Sequence, residues 1–397
     1  MTSLPLSGLR VLELGQLIAG PFATRILADF GADVIKVEPP ETGDPLRNWR
    51  LLHEGTSVWW AAHARNKRSL SLDLRQKEGQ EVVRKLALDA DILIENFRPG
   101  AMEKWGLGFK ELHALNPKLI MVRVSGYGQT GPYRDRPGFG VIGEAMGGLR
   151  HLSGEPGRPP VRVGVSIGDT LSGLQAVIGV MMALRHREQQ GGQGQEVDVA
   201  LYESVFNMME SLLPEYSKFG VVREPAGSSL PGIAPSNAYL CKDGKYALIA
   251  GNGDSIFKRL MEKIDRTDLA NDPRFAVNAG RAEHAEFIDA QINAYTAAHT
   301  LEEVLLTMTE AGVPAGKVYD AADIATDPHY QARDMILDAK LPDGSTVQVP
   351  GIVPKLSQTP GQITRQAPTL GQHNTEILTE LGIDAATQSD WKARKIT

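Results

Sequence analysis

A single cysteine, Cys241, stands in a chain of 397 residues, and that scarcity excludes an internal disulfide framework and a cysteine-rich metal site. It suits a cytoplasmic protein. The nine histidines are scattered, without the H-x-x-x-H or H-E-x-x-H spacing that would put two ligands on one helix face, so no metal centre is expected. Basic charge is also short. Lys and Arg number 42 against 48 Asp and Glu, a formal charge of −6, whereas a nucleic-acid binder needs a basic stripe. A local basic pocket for an anionic ligand is still compatible with that balance. Missing too are the charged n-region and apolar h-region of a secretion signal in MTSLPLSGLR, a run of roughly 18 apolar residues and a P-loop. Even the apolar stretch Leu171 to Leu184 falls short of a membrane span. The expectation is a soluble chain with no membrane partner, no internal repeat and no low-complexity tract.

What is present reads as α/β. Leu9 to Leu14 is a mostly apolar run, Gly15 to Gly20 gives a turn, Pro21 opens a helix through Phe30, and Val34 to Val37 is a second strand. Such a strand, helix, strand unit belongs to parallel, doubly wound sheets. The pattern continues with strands at Ser69–Leu74, Asp91–Asn96, Leu119–Ser125 and Gln195–Ala200, and helices at Lys77–Asp89 and Leu201–Leu213, the last ended by Pro214. A Pro-, Gly- and Ser-rich span at 222–236 marks a boundary, and beyond it a smaller α+β domain is expected. The tail carries a hairpin signal at Asp343-Gly344 and a last clear helix at Thr375–Leu381.

The rest of the chain is organised around VRVGVSIGDTLSGLQAVIGVMMALRHR, Val161 to Arg187. Val161, Val163, Val165 and Ile167 alternate as in a strand, Gly168 permits a turn, and a slim helix follows from Thr170. Asp169 sits at the joint. Free backbone N–H groups and the helix dipole favour an ionised carboxylate there, either as a plain N-cap or as a nucleophile kept charged at neutral pH.

Other motifs are weighed beside it. GYGQTG, Gly126 to Gly131, matches G-x-G-x-x-G, but Pro132 and Pro137 leave no room for the helix a dinucleotide fingerprint opens. It reads as a loop that lets backbone approach a ligand. Two basic clusters, Arg65-Asn66-Lys67-Arg68 and Arg98 with Lys104, fall beside strand ends, where they suit phosphate groups or are simply solvated. Arg47 and Arg50 flank Trp49 and could grip a substrate carboxylate.

The segments LPLSGLRVLELGQLIAGPFATRILADFGADVIKVEPP, ARNKRSLSLDL, DILIENFRPGAMEKWGLGF, SGYGQTGPY, VSIGDTLSGLQAVIGVMMAL and LGQHNTEIL resemble, in order and spacing, the class III CoA-transferases of the formyl-CoA and crotonobetainyl-CoA:carnitine type. The likeness runs from about residue 5 to residue 385 and looks closest to the succinyl-CoA:dicarboxylate branch. It implies a Rossmann-like large domain from both chain ends, residues 1–222 and 328–397, with a small domain at 223–327, in an interlocked homodimer. It places the catalytic aspartate on Asp169, which would carry an aspartyl-CoA thioester while CoA passes from an acyl-CoA, such as succinyl-CoA, to an acid such as glutarate, itaconate, mesaconate or citramalate. Coenzyme A is then a substrate, with no permanently bound cofactor. By position, its contacts fall on Ile18, Ala19, Leu72, Arg75, Asn96, Phe97, Lys104, Arg136, Gly138 and Phe139, with Arg47 for the substrate carboxylate.

Several positions depart from that pattern. Ile18 replaces the glutamine of formyl-CoA transferases, Pro39 and Pro137 replace basic residues near the adenine, and Gly251-Asn252-Gly253 is shorter than their glycine run. Two rival readings stand beside transfer. An α-methylacyl-CoA racemase would need a histidine where Phe139 sits, and phenylalanine cannot move a proton. A non-catalytic CoA-binding protein would keep the fold without turnover.

Overall fold

A computed structural model describes residues 4–189 and 191–397. Met1 to Ser3, part of the stretch read for a secretion signal, and Gln190 lie outside them. The described chain divides into two compact units. One runs to Arg150 and takes in Arg162–Val222 and His329–Thr397; the other comprises His151–Val161 and Arg223–Pro328. The division drawn on the sequence left His151–Val161 with the larger part. A hydrogen bond from the Gly227 N–H to the Gly154 carbonyl, 2.9 Å, ties that segment into the second unit instead.

The larger unit is built on a six-stranded parallel sheet: β1 Arg10–Glu13, β2 Asp33–Glu38, β3 Lys67–Ser71, β4 Ile92–Glu95, β5 Ile120–Ser125 and β6 Glu196–Ala200. Their spatial order is β3-β2-β1-β4-β5-β6. The chain winds outward from β1 in one direction and then from β4 in the other, so a crevice opens beyond the carboxyl ends of β1 and β4. Successive side chains point to opposite faces. Val11, Ile92, Ile94, Ile120 and Val122 pack on one side with the helices α1 (Ala19–Asp29) and α4 (Ile167–Gln189). Leu12, Leu93 and Met121 pack on the other with Val82, Val83 and Leu86 of α2, Lys77–Leu88. Two further short helices, α3 (Gly140–Met146) and α5 (Leu201–Phe206), lie against α4.

Several strands carry buried charge, which a parallel strand tolerates only when it is partnered. The Lys36 ammonium on β2 reaches Glu13 at 2.6 Å and Asp44 at 2.8 Å, and Lys67 on β3 reaches the other Glu13 oxygen at 2.8 Å. The basic run 65–68, weighed as a phosphate site or a solvated surface run, is spent inside the protein in the same way. Arg65 forks onto Asp29, and Arg68 pairs with Asp33, Glu376 and Glu380. These contacts put β3 at Lys67–Ser71, ahead of the predicted Ser69–Leu74. The tail returns to the edge of β3, where Asn374 accepts from the Ser71 N–H at 2.9 Å and His373 Nδ1 from the Ser69 N–H at 3.1 Å.

Other differences have local causes. Val161–Val165 forms no strand; its valines are 37–58% exposed, and the Val161 N–H donates to the Ser153 carbonyl rather than to a strand. The α4 helix begins at Ile167 rather than Thr170, and its 23 residues are long and apolar enough, by length and composition alone, to cross a membrane. In this fold one face of α4 packs into the core. Gly168, Ser172, Ala176, Val180 and Ala183 are buried, and Gly173 leaves so little space that a Cβ there would lie 2.8 Å from the Ala19 carbonyl of α1. The predicted Leu201–Leu213 helix breaks after Phe206. A new helix at Leu212–Phe219 carries Pro214 in its first turn, where the missing N–H has no partner to lose. One more helix, Ala385–Ala393, follows the predicted last one.

The second unit has an antiparallel sheet of β7 Ser236–Leu240, β8 Tyr246–Ala250 and β9 Ala315–Lys317, in the order β9-β8-β7. Tyr239, Phe257, Leu260, Phe275, Ile288 and Val304 fill its core. Back in the larger unit, β10 Ile336–Lys340 and β11 Thr346–Pro350 form the hairpin signalled by Asp343-Gly344, with Gly344 at φ +86°.

Candidate active site

At the carboxyl end of β1, the chain turns through Gly15 to Ile18 before α1 starts. The turn is held from two sides. Asn96, just after β4, accepts from the Gln16 N–H and donates to its carbonyl, both at 2.8 Å, while the Asp44 carboxylate accepts from the Leu17 N–H at 3.0 Å. Leu17 is thereby kept at φ +64°, a left-handed conformation that a non-glycine residue holds only when its surroundings over-determine it. Ile18 then caps α1, and Ala19 packs against Gly173 of α4. The same contact that joins α1 to α4 therefore brings the first turn of α4 beside this loop.

Asp169 lies in that first turn, half-buried. It lines an open cleft of about 330 Å³ with Leu17, Ile18, Trp49, Arg50, Phe139, Gly140, Arg162 and Ser166. A second cavity of about 550 Å³ shares Ile18, Arg50 and Ser166 with the cleft and adds Phe22, Arg25, Trp59, His63 and Thr170. Gly140 makes the carboxylate's place possible. A Cβ at that position would fall 2.1 Å from Asp169 Oδ2.

Helix-start geometry alone predicted a carboxylate held firmly in its charged form. Burial instead pushes the Asp169 carboxyl up to about 6, the nearby Glu144 carboxylate pushes the same way, and Arg162 only partly opposes them. At pH 7 a group with that pKa is still roughly nine-tenths ionised. Asp169 is thus an anion at neutral pH, but a more basic one than a surface aspartate.

The other sequence candidates separate into groups. Ile18 and Phe139 line the Asp169 cleft, and Ala19 is buried behind it. Leu72, Arg75 and Phe97 line a different cavity of about 550 Å³ together with Gln16, Pro39, Pro40 and Trp105. The turn at residues 16–18 connects the two, because Gln16 faces one and Leu17 and Ile18 the other. Asn96 shapes that turn through its two hydrogen bonds to Gln16. Gly138 packs backbone to backbone on Gly126. Lys104 and Arg136 are exposed and line none of these cavities; the Arg136 guanidinium lies 3.6 Å over the Tyr133 ring.

Arg47 is a correction. Its fork is closed on Glu38 by two 2.8 Å hydrogen bonds, its guanidinium stacks 3.9 Å over Trp60, and only 8% of the residue is exposed. It has nothing left for a substrate and lies outside the Asp169 cleft. Arg50 occupies the place expected of Arg47. It lines both lobes of the cleft, sits at φ +61° with its guanidinium 5.4 Å over Trp59, and has no ion pair or hydrogen bond among the described residues. Sequence reading also missed Arg394 and Lys395, which the last helix delivers to the Leu72 cavity, and Glu144 and Arg162 beside Asp169. Nothing in their local spacing marks them; only the fold brings them there.

Comparison with known proteins follows the same lines. Residues 6–374 match the family model described as CoA-transferase family III. Succinyl-CoA–D-citramalate CoA-transferase of Chloroflexus aurantiacus is 51% identical over 378 residues, 95% of this chain and 94% of that protein. Succinate–glutarate CoA-transferase of Agrobacterium fabrum is 36% identical over 386 residues, covering 95% and 96%. Among solved structures, a CAIB/BAIF family protein from Brucella suis superposes with a TM-score of 0.84 at 36% identity, covering 96% of this chain and 100% of that one.

The cleft geometry makes a specific demand on residue 140. Gly140→Ala is expected to leave the circular dichroism spectrum and melting curve close to wild type while lowering kcat by a factor on the order of 100, because a methyl group there displaces the carboxylate. An alanine variant with wild-type turnover would show that Asp169 need not sit where the structure holds it.

Proposed function

The chain belongs to CoA-transferase family III, and from that premise we propose that it passes CoA from succinyl-CoA to a small dicarboxylic acid through an aspartyl-CoA thioester on Asp169. The observation that carries this reading is a half-buried, basic carboxylate at the foot of a cleft whose wall holds the unpaired Arg50 guanidinium. Relatives named for succinyl-CoA with citramalate, malate, glutarate or mesaconate support the donor and the acceptor class.

In this reading the Asp169 oxygen attacks the thioester carbonyl. A C–O bond forms, the C–S bond breaks, and the negative charge moves from Asp169 to the CoA thiolate, leaving a mixed anhydride. The thiolate then attacks the aspartyl carbonyl, releasing succinate and giving aspartyl-CoA. The acceptor carboxylate repeats the two steps in reverse and leaves as its CoA thioester. No net proton is transferred. The first turn of α4 has backbone N–H groups without helical partners, suited to the oxyanion that each attack generates.

The cavity of Leu72, Arg75 and Phe97 would take the nucleotide end of CoA. Phe97 and Trp105 offer ring surface, and Arg75, Arg394 and Lys395 offer cations for the phosphates. The thiol arm would pass the turn at residues 16–18 to reach Asp169. Arg50 would hold the distal carboxylate of the donor and of the acceptor in turn, the role first assigned to Arg47. The large exposed apolar side chains of the same unit, among them Ile178, Met182, Phe206, Tyr216 and Phe219, would be covered in a homodimer. We place the enzyme in the cytoplasm. Racemisation is disfavoured, since Phe139 stands in the cleft where that chemistry needs a base.

Three experiments test this reading. Asp169→Asn should lower transfer by a factor on the order of 1,000 or more while CoA binding by calorimetry and the fold persist. In the wild type, hydroxylamine after succinyl-CoA should leave a hydroxamate on the peptide containing Asp169; an unmodified peptide from an active enzyme contradicts the intermediate. For Arg50→Ala, KM for a dicarboxylate acceptor should rise by about tenfold or more, with a smaller effect on a monocarboxylate of equal length. Equal changes for both acids would remove Arg50 from recognition.

A further inference from the structure

Helix α3 turns two positions toward the first turn of α4, and they lie one helical turn apart. Gly140 faces the Asp169 carboxylate, and Glu144 lies behind it, with its Cγ in van der Waals reach of Gly168. Glu144 is fully buried. One of its oxygens accepts from Arg150 Nε at 3.2 Å. The other is buried with no hydrogen-bond partner among the described residues, and Arg162 Nη2 lies 3.9 Å from it. A buried carboxylate with one unfilled oxygen is costly and is not retained for stability. Arg162, half exposed, stands between this anion and the cleft that Asp169 lines.

Among the described residues, no other anion faces the proposed nucleophile from the packed elements. Helix α5 meets α3 and α4 through Leu201 and Val205, while its Tyr202 and Glu203 hydrogen bond to each other at the surface. Helix α1 meets α4 through Ala19 and Phe22. The remaining titratable or charged residues lining the cleft and its second lobe are Arg50, Arg25 and His63.

Resting on the reading of Asp169 as the nucleophile, we propose that Glu144 is a positioning residue for the transfer reaction. It is a fixed anion behind Asp169 that repels the ionised carboxylate, favours its uncharged acylated form and is balanced through Arg162. Each turn of the cycle moves the charge of Asp169 onto the CoA sulfur and back. Repulsion from Glu144 is present when Asp169 must attack and absent once it is acylated, so the buried charge drives the first step and stabilises the covalent state. Arg162 sets the size of that repulsion because it faces both carboxylates.

The test is the pH dependence of kcat/KM for succinyl-CoA in the wild type, Glu144→Gln and Arg162→Gln. Attack requires ionised Asp169, so the wild-type profile should fall on the acid side through about pH 6. Removing the neighbouring anion makes ionisation easier, and Glu144→Gln should move that limb to lower pH by about 0.5–1 unit, with a lower plateau from the weaker nucleophile. Removing the cation should move it the opposite way in Arg162→Gln, whose side chain is exposed enough for the fold to survive. A purely structural Glu144 would change the plateau and leave both limbs in place. Unmoved limbs, or limbs that move in the same direction, overturn the proposal; if Glu144→Gln fails to fold, the direction seen in Arg162→Gln decides. Hydroxylamine trapping separates this outcome from a failure of the nucleophile itself. A trapped Asp169 with unmoved limbs removes only Glu144, and an untrapped one removes both.

Discussion

Glu13 is the residue the site is built from, although it never faces the cleft. It ends β1 with no exposure, and its two oxygens take Lys36 from β2 and Lys67 from β3. Burial pushes its carboxyl up, but the two ammonium groups outweigh burial and hold it at about 2. Lys36 also donates to the Gly15 carbonyl and pairs with Asp44, whose carboxylate in turn accepts the Leu17 N–H. Three strands and the loop beyond them are thus tied by one buried cluster. Such a cluster adds little net stability over an apolar core, yet its geometry admits one arrangement, since any misplaced member is left unpaired. It fixes the turn at residues 16–18, the turn fixes the start of α1, and α1 fixes α4 through the Ala19–Gly173 contact.

Asp169, the nucleophile we propose, owes its character to what surrounds that helix start. A bare helix N-terminus would lower the pKa of an aspartate. Here the walls of the cleft and the buried Glu144 act against the dipole and win, so the carboxylate is ionised at neutral pH yet more basic than a surface aspartate. Gly140 completes the arrangement by having no side chain where the carboxylate lies. In the mechanism we propose, the chemistry depends on a glycine, a buried anion and an arginine, none of which contributes a reacting atom.

How far the sequence could be read follows from the same physics. The parallel strands β1, β2, β4 and β5 were legible because strands buried on both faces are largely apolar runs, the edge strand β6 because its valines alternate with charged residues, and Asp169 as the polar break before an apolar helix. The alternating valines 161–165 misled because alternation marks a strand only when a partner strand exists, and Val163 and Val165 instead line an open cleft. The 65–68 cations misled for the opposite reason. Their partners Asp29, Glu13, Glu376 and Glu380 lie about 40 to more than 300 residues away in sequence, so local spacing shows charge but not its neutralisation. Arg47 and Arg50 differ by three positions and are indistinguishable in sequence, yet Glu38 claims one and leaves the other free.

The most direct test of the covalent cycle follows an oxygen atom. If the acceptor carboxylate attacks aspartyl-CoA and the thiolate then attacks the acceptor carbon of the anhydride, the bridging oxygen stays with the enzyme. After turnover of succinyl-CoA with an acceptor whose carboxylates carry heavy oxygen, digestion and mass spectrometry should find that isotope in the carboxyl group of Asp169. A peptide without the isotope, from enzyme that has demonstrably formed the new acyl-CoA, would contradict the account.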